Sequence, residues 1–231
     1  MASGVEQTEQ ALGRDREVGP RSERPVQRRL TGAQRQRSIV YAAAEVFARR
    51  GYEAARIEEI ATEAGVSKAL IYEHFKSKRD LYTHIMRTGT KESLIRVLEA
   101  AASGADAMNQ LERGLSAFLD FVAEQPSVWR VIEQEVSDPE ILALDQSVQK
   151  RSEDAIAQLL AADEAIASRG FSPEYLQLLA VMINGAGVRA ANWWLANPTV
   201  PQEEVLAPLM RFMAVGIEGI RIDGFGLLPQ A

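Results

Sequence analysis

IEEIATEAGVSKALIYEHF, residues 57–75, reads as two short amphipathic helices joined by a tight turn. Ile57, Ile60, Ala61 and Ala64 recur at helical spacing and form the buried side of the first. Gly65 follows as a residue free to take a positive φ. Ser67 can accept a bond from a free backbone N–H and so cap a second helix, Lys68 to Phe75. Ala61 is small where the two helices cross, and Val66 and Ile71 bury themselves between them. Two such helices around a glycine-centred turn form the helix-turn-helix signature. The second is then free to lay its other side in a major groove about 12 Å wide.

On that free side the spacing places Lys68, Ala69, Leu70, Tyr72, Glu73 and His74. Lys68 can donate to guanine or phosphate, and Ala69 permits close approach. Leu70 suits a thymine methyl. Tyr72 and His74 can donate to phosphate oxygens. Glu73 suits a cytosine amine, or equally a solvated surface. Ser67 and the helix N-terminus present oriented N–H groups to an anion. Lys78, at the start of the next helix, is a further phosphate donor.

Outward from this stretch the chain reads as helix after helix. Thr31 and Gln34 have capping-box spacing. Ile39, Ala43, Val46 and Phe47 make a buried stripe, and Gly51 ends that first helix. Ser77 and Asp80 open a long helix running to about residue 102 and ending near Gly104. Ala105–Glu124 carries Met108, Leu111, Leu115, Phe118, Leu119 and Val122 on one side. Pro126, Pro139, Pro173 and Pro201 each stand at a helix start, where a missing N–H does no harm. The helix from Glu140 is expected to run to about Ala167 and to be closed by Gly170. The last runs to about Ile222. No alternating β-branched pattern occurs. The expectation is an all-α protein of about nine helices: a disordered basic extension at 1–30, a helix-turn-helix domain at 31–77 and a larger helical domain at 78–231.

Net charge is −6, but it is unevenly spread. Residues 1–90 hold 16 Lys+Arg against 12 Asp+Glu, and residues 91–231 hold 10 against 20. A basic front on an acidic body suits phosphate binding at one end. Arg21 to Arg37 contains six arginines and one acid, Glu23. Such a tail either tracks DNA or merely solubilises the chain. There is no cysteine, so disulfides, thiolate nucleophiles and cysteine zinc sites are excluded. His74 and His84 lack the i, i+4 spacing of a helical metal pair. No metal or cofactor is expected. No apolar run reaches about eighteen residues, and no apolar segment follows the N-terminal arginines. The expectation is no membrane span and a cytoplasmic location.

The longer stretch IVYAAAEVFARRGYEAARIEEIATEAGVSKALIYEHFKSKRDLY resembles the N-terminal domain of the TetR family of regulators. The markers are Ala43, Phe47, Gly51 and Tyr52, then Ile60, Ala61, Ala64, Gly65, Val66, Ser67, Tyr72, Phe75, Lys78 and Leu81. The resemblance implies a three-helix DNA-binding domain, a linking fourth helix and a body that binds an inducer among its middle helices. It implies a homodimer formed by the last two helices, and most often a repressor that releases DNA when ligand binds. Two recognition helices about 34 Å apart would then read a palindromic operator. The chain departs from the pattern at Ala55 and Arg56, where Thr or Ser commonly caps the second helix. That weakens the cap by roughly 1 kcal/mol, while Arg56 can keep a phosphate contact. Leu70 and Glu73 also depart, which points to a different sequence preference.

Beyond residue 90 no motif stands out. Phe118, Phe121 and Trp129 lie on the helices that line the cavity in this family. Met86 lies on the linking helix, and Met182 and Asn184 on the eighth. These six are the candidate effector contacts, since flexible Met and flat aromatics suit an apolar ligand; plain core packing is the competing explanation for each. Glu133 and Glu135 suit either a cationic ligand or a solvated face. Gly185 and Gly187 each weaken a helix by about 1 kcal/mol, which a close approach at a dimer seam or a ligand would offset. Of Trp193 and Trp194, one is expected in the core and one at an interface.

Three functions follow. The first is a ligand-responsive regulator, released from a palindromic operator by a small apolar or amphipathic molecule. The second is a constitutive repressor. The third is a small-molecule binding module or enzyme with an incidental helix-turn-helix. No nucleophile dyad, phosphate-binding glycine loop or HExxH motif supports an enzyme. The implied partners are an operator in double-stranded DNA, a small-molecule effector and a second copy of the chain.

Overall fold

A computed structural model describes residues 31–219. The expected extension at 1–30 and the expected helix end near Ile222 lie outside the described residues. Within them all regular secondary structure is helical: α1 (Gly32–Ala54), α2 (Ile57–Ala64), α3 (Lys68–His74), α4 (Lys78–Ala101), α5 (Ala107–Glu124), α6 (Pro126–Ile132), α7 (Pro139–Ala162), α8 (Glu164–Ala167), α9 (Pro173–Ala196) and α10 (Gln202–Gly219).

Local chemistry sets most of these ends. Thr31 and Gln34 form the reciprocal capping box, with bonds of 3.2 and 2.8 Å. Gly51 has φ 78°, so helical geometry breaks there, and a last turn carries the chain on to Ala54. This swing brings the Tyr52 ring edge-on to Tyr82, with centroids 4.8 Å apart. Tyr82 in turn meets Phe47 edge-on at 5.0 Å. Edge-to-face aromatic pairs at such spacing are favourable.

The expected single helix from 140 to 167 is divided, which makes ten helices among the described residues. Asp163 is the reason. Its backbone is extended, with φ −80° and ψ 123°. Its carboxylate accepts the Ile166 N–H that opens α8 and the Ala107 N–H that opens α5, each at 3.0 Å. One side chain thus satisfies the N-termini of two helices, and these backbone bonds hold its carboxyl below the usual aspartate range.

Two kinds of packing result. Around α1, α2, α3 and the first half of α4 lies one continuous core, including Phe47, Ile60, Ile71, Leu81, Tyr82 and Met86. Val131 and Ile141 complete it from below, so this core runs past residue 77 into the body. Gly89 lets α6 lie against α4, because a methyl there would collide with Val128. The body holds two separate clusters. One joins α5, α7, α9 and α10 through Leu111, Leu160, Leu179 and Met213. The other gathers Leu119, Phe121, Val122, Trp129 and Val205.

Candidate nucleic-acid interface and internal cavity

The turn between α2 and α3 is closed by Gly65 in the left-handed region, φ 65° and ψ 32°. Ser67 caps α3 by accepting the Leu70 N–H at 3.2 Å. Ile71 and Phe75 point into the core. Lys68, Ala69, Tyr72 and Glu73 are left exposed, and Leu70 and His74 are half-buried. Tyr72, 45% exposed, is the large apolar-bodied side chain of this face. Six of the expected contacts are therefore at least partly accessible on α3.

Electrostatics refine the assignment. Lys68 is ion-paired with Glu58 at the start of α2. The pair holds the Lys68 ammonium above and the Glu58 carboxyl below their ordinary ranges. A phosphate would have to replace Glu58 at this exposed pair. Arg56 precedes α2 with no side-chain cap, which matches the weakened cap expected from sequence. Its side chain is exposed. Lys78 behaves differently from the expectation. Its ammonium donates to the carbonyls of Tyr52, Glu53 and Ala55 at 2.8, 3.2 and 3.3 Å. It also lies 4.6 Å from the Tyr52 ring centroid. Lys78 closes the end of α1 after the Gly51 break, so its three donors are engaged by the fold rather than free for phosphate.

A cavity runs between α4, α5, α6, α7 and α9. Counted with its mouth, it holds about 1090 Å³ of space free of protein atoms. Leu94 and Val97 from α4, Leu115 and Phe118 from α5, Trp129 and Ile132 from α6, and Ile183 from α9 supply its apolar wall. Of the six candidates from sequence, Phe118, Trp129 and Asn184 line it. Phe118 and Trp129 meet edge-on with centroids 5.0 Å apart. The other three do not. Met86 and Phe121 are buried in cores. Met182 is 56% exposed on the outside of α9. A helix faces two ways, and the apolar pattern of α9 covers both sides.

The outer side of α9 presents Leu178, Val181, Met182 and Trp193, and α10 presents Phe212 and Val215, all exposed. The two glycines of α9 divide between the sides. A methyl on Gly187 would meet Leu115 at 3.1 Å, whereas Gly185 faces open space. Trp194 turns inward, its indole N–H donating to the Val200 carbonyl at 2.8 Å, while Trp193 stays out.

Two cavity residues went unrecognised in the sequence or were left undecided. Asp145 stands in the apolar register of α7 shared by Ile141, Val148, Ser152 and Ile156. An acid at that register position was the available signal. Glu133 follows Trp129 by four residues and shares its side of the chain. Its carboxylate accepts the Asn192 amide at 2.9 Å, and Asn192 accepts the Trp129 indole N–H at 2.8 Å. Burial pushes the carboxyls of both Glu133 and Asp145 above their usual ranges. The negative charge of Asp145 adds to the effect on Glu133, and the Asn192 bond opposes it.

The next residue, Gln134, ties this region to the head. Its amide donates to the Phe47 carbonyl of α1 at 2.7 Å. Tyr82 of α4 donates to the Val131 carbonyl at 2.8 Å and approaches the Gln134 oxygen at 3.4 Å. Among the described residues there is no helix long and apolar enough to cross a membrane, and no group of acids and histidines fit to hold a metal.

Comparison with known proteins agrees with this arrangement. Residues 39–85 match the family described as bacterial regulatory proteins, tetR family. Residues 107–216 match the tetracyclin repressor-like C-terminal domain. The chain is 31% identical over 171 residues to the HTH-type transcriptional activator FasR of Mycolicibacterium smegmatis, covering 73% of this chain and 76% of that protein. Its fold is similar to a TetR-like transcriptional regulator from Rhodococcus sp. RHA1, with TM-score 0.72, 24% identity and coverage of 83% and 100%. It is also similar to FadR from Bacillus subtilis, solved in complex with stearoyl-CoA, with TM-score 0.65, 23% identity and coverage of 80% and 98%.

Proposed function

Since this chain belongs to the TetR family and is a DNA-binding transcriptional regulator, we propose that it is a homodimer whose operator affinity is set by a small apolar or amphipathic effector. The observation that carries this is the joint presence of an exposed recognition face on α3 and an apolar cavity in the same chain. Apolar and aromatic walls with a few polar groups are the usual lining of small-molecule sites.

Lys68, Ala69, Leu70, Tyr72, Glu73 and His74 face the major groove, and Arg56 and the Ser67 end of α3 meet phosphates. The outward stripes of α9 and α10 bury each other's apolar side chains across a twofold axis. Gly185 lets the two subunits approach closely there. Coupling runs along α4, which lines the cavity through Thr90, Leu94 and Val97 and carries Leu81 and Tyr82 in the head core. It also runs through α6, because Trp129 and Glu133 meet the cavity while Gln134 holds α1.

Effector binding releases the operator, making the protein a repressor. The similarity to FasR, an activator, favours a second reading in which the same occupancy raises transcription. Promoter geometry, not this fold, separates them.

The test is an electrophoretic shift of DNA upstream of the chain's own gene, with competitor DNA and a Tyr72→Ala control. A specific shift weakened about thirtyfold by the substitution, which corresponds to roughly 2 kcal/mol, is expected. Because Tyr72 is exposed, the melting temperature should stay within about 2 °C. Failure to bind any duplex in a genome-wide selection would refute the reading.

A further inference from the structure

The proposed effector cavity has walls of one sign. Among the described residues that line it there is no Lys, Arg or His, and Glu133 and Asp145 are its ionisable groups. A carboxylate among apolar side chains is unfavourable unless it is paired or hydrogen-bonded. Glu133 is nevertheless fixed in place: Asn192 donates to it at 2.9 Å, and Trp129 locks Asn192 at 2.8 Å. Asp145 receives the Gln149 amide at 3.2 Å, from an exposed residue one turn along α7. Each carboxylate therefore has one neutral donor in place, and the cavity itself brings no cation to them. Arg189 pulls on Glu133 from a position that is not part of the cavity wall.

From this arrangement, and resting on the regulator reading above, we infer that the effector is an apolar molecule bearing a cationic amine, seated with its charge toward Glu133 and Asp145 and its body along Leu94, Val97, Phe118 and Ile183. An ammonium brings the positive charge that the cavity wall lacks and further N–H donors for the two acids. Charge-assisted bonds of this kind are about twice as strong as neutral ones. A free carboxylate entering the same space meets two acids and no cation.

Decylamine, decanol, decanoate and decanoyl-CoA form a matched series of probes that share one apolar chain. Each is titrated by calorimetry against the full-length protein below the probe's micelle concentration. Decylamine is expected to bind about tenfold tighter than decanol and more tightly still than decanoate. In the Glu133→Gln, Asp145→Asn double variant this advantage is expected to fall below about threefold. Circular dichroism of the variant guards against misfolding, and decanol binding, which needs no charge, should be retained. Two outcomes overturn the inference: decanol, decanoate or decanoyl-CoA binding as well as decylamine, or an amine advantage that survives in the double variant. The operator shift assay is read separately. Amine selectivity without DNA binding would sink the regulator reading alone, and DNA binding without amine selectivity would sink only the effector class.

Discussion

The two halves of the molecule are packed by opposite rules. In the head, side chains from α1 to α4 close into one core, and Phe47, Ile60, Leu81 and Tyr82 are fully buried. In the body, the apolar side chains split into two clusters with a cavity beside them. Half-buried Phe118 and Leu94 border that space. The same helix shows both behaviours. Leu81, Tyr82, Ile85 and Met86 of α4 are buried in the head core, while Ile95 and Leu98, further along, are exposed. A reader of DNA must hold its shape, whereas the sensing role proposed for the body requires room for a guest. The space left unfilled in the body withholds packing energy that the head obtains in full.

The sharpest way to break this comparison is a matched pair of truncations. Phe47→Ala is expected to destabilise the protein by about 4 kcal/mol, because it empties a closed core. Phe118→Ala should lose about 2 kcal/mol, since its site already adjoins open space. Urea titration of both variants decides it, and equal losses would mean the body is as tightly packed as the head.

A smaller effect should appear where the halves meet. Gln134→Ala removes the bond to the Phe47 carbonyl without touching the cavity wall or α3. Operator affinity without effector should change by less than about threefold. The effector's influence on that affinity should shrink by about fivefold, a coupling loss near 1 kcal/mol. Operator titrations with and without a bound probe measure both quantities. Full coupling in the variant would remove the Gln134 bond from the route.

The smallest effect concerns the acids of the cavity. Burial raises the carboxyls of Glu133 and Asp145 above their ordinary values of 4.5 and 3.8. The folded protein therefore holds these protons more readily than the unfolded chain. The resulting cost is absent below the ordinary values and is imposed as pH rises through the raised ones. The Glu133→Gln, Asp145→Asn variant should melt on the order of 2 °C higher than the wild type at about pH 8. The gain should be smaller at about pH 5. A gain that grows as pH falls would reverse the assignment. Residues that lower stability where a guest would sit are a common mark of function.

Much of this could be read along the chain. Gly65 and Ser67 announce the turn and cap of α3, Ile57, Ile60 and Ala61 announce the buried side of α2, and Ile71 announces that of α3. Thr31 with Gln34, and Pro126, Pro139 and Pro173, mark helix starts that the structure keeps. Each of these rests on bonds or contacts within about four residues, which sequence displays directly.

What the sequence alone determined, then, is the helical class, the helix-turn-helix and the family to which it belongs. Tertiary structure decided the rest. Lys78 carries a donor's charge, but only folding shows that the carbonyls after Gly51 have claimed it. Asp163 caps Ile166 locally, but only folding brings the Ala107 N–H to the same carboxylate. Met86, Phe121 and Met182 are as apolar as Phe118 and Trp129, yet only the last two reach the cavity. Asp145 joins Glu133 there because five helices distant in sequence converge on one space. A cavity is a property of what those helices fail to fill, and no local pattern records it.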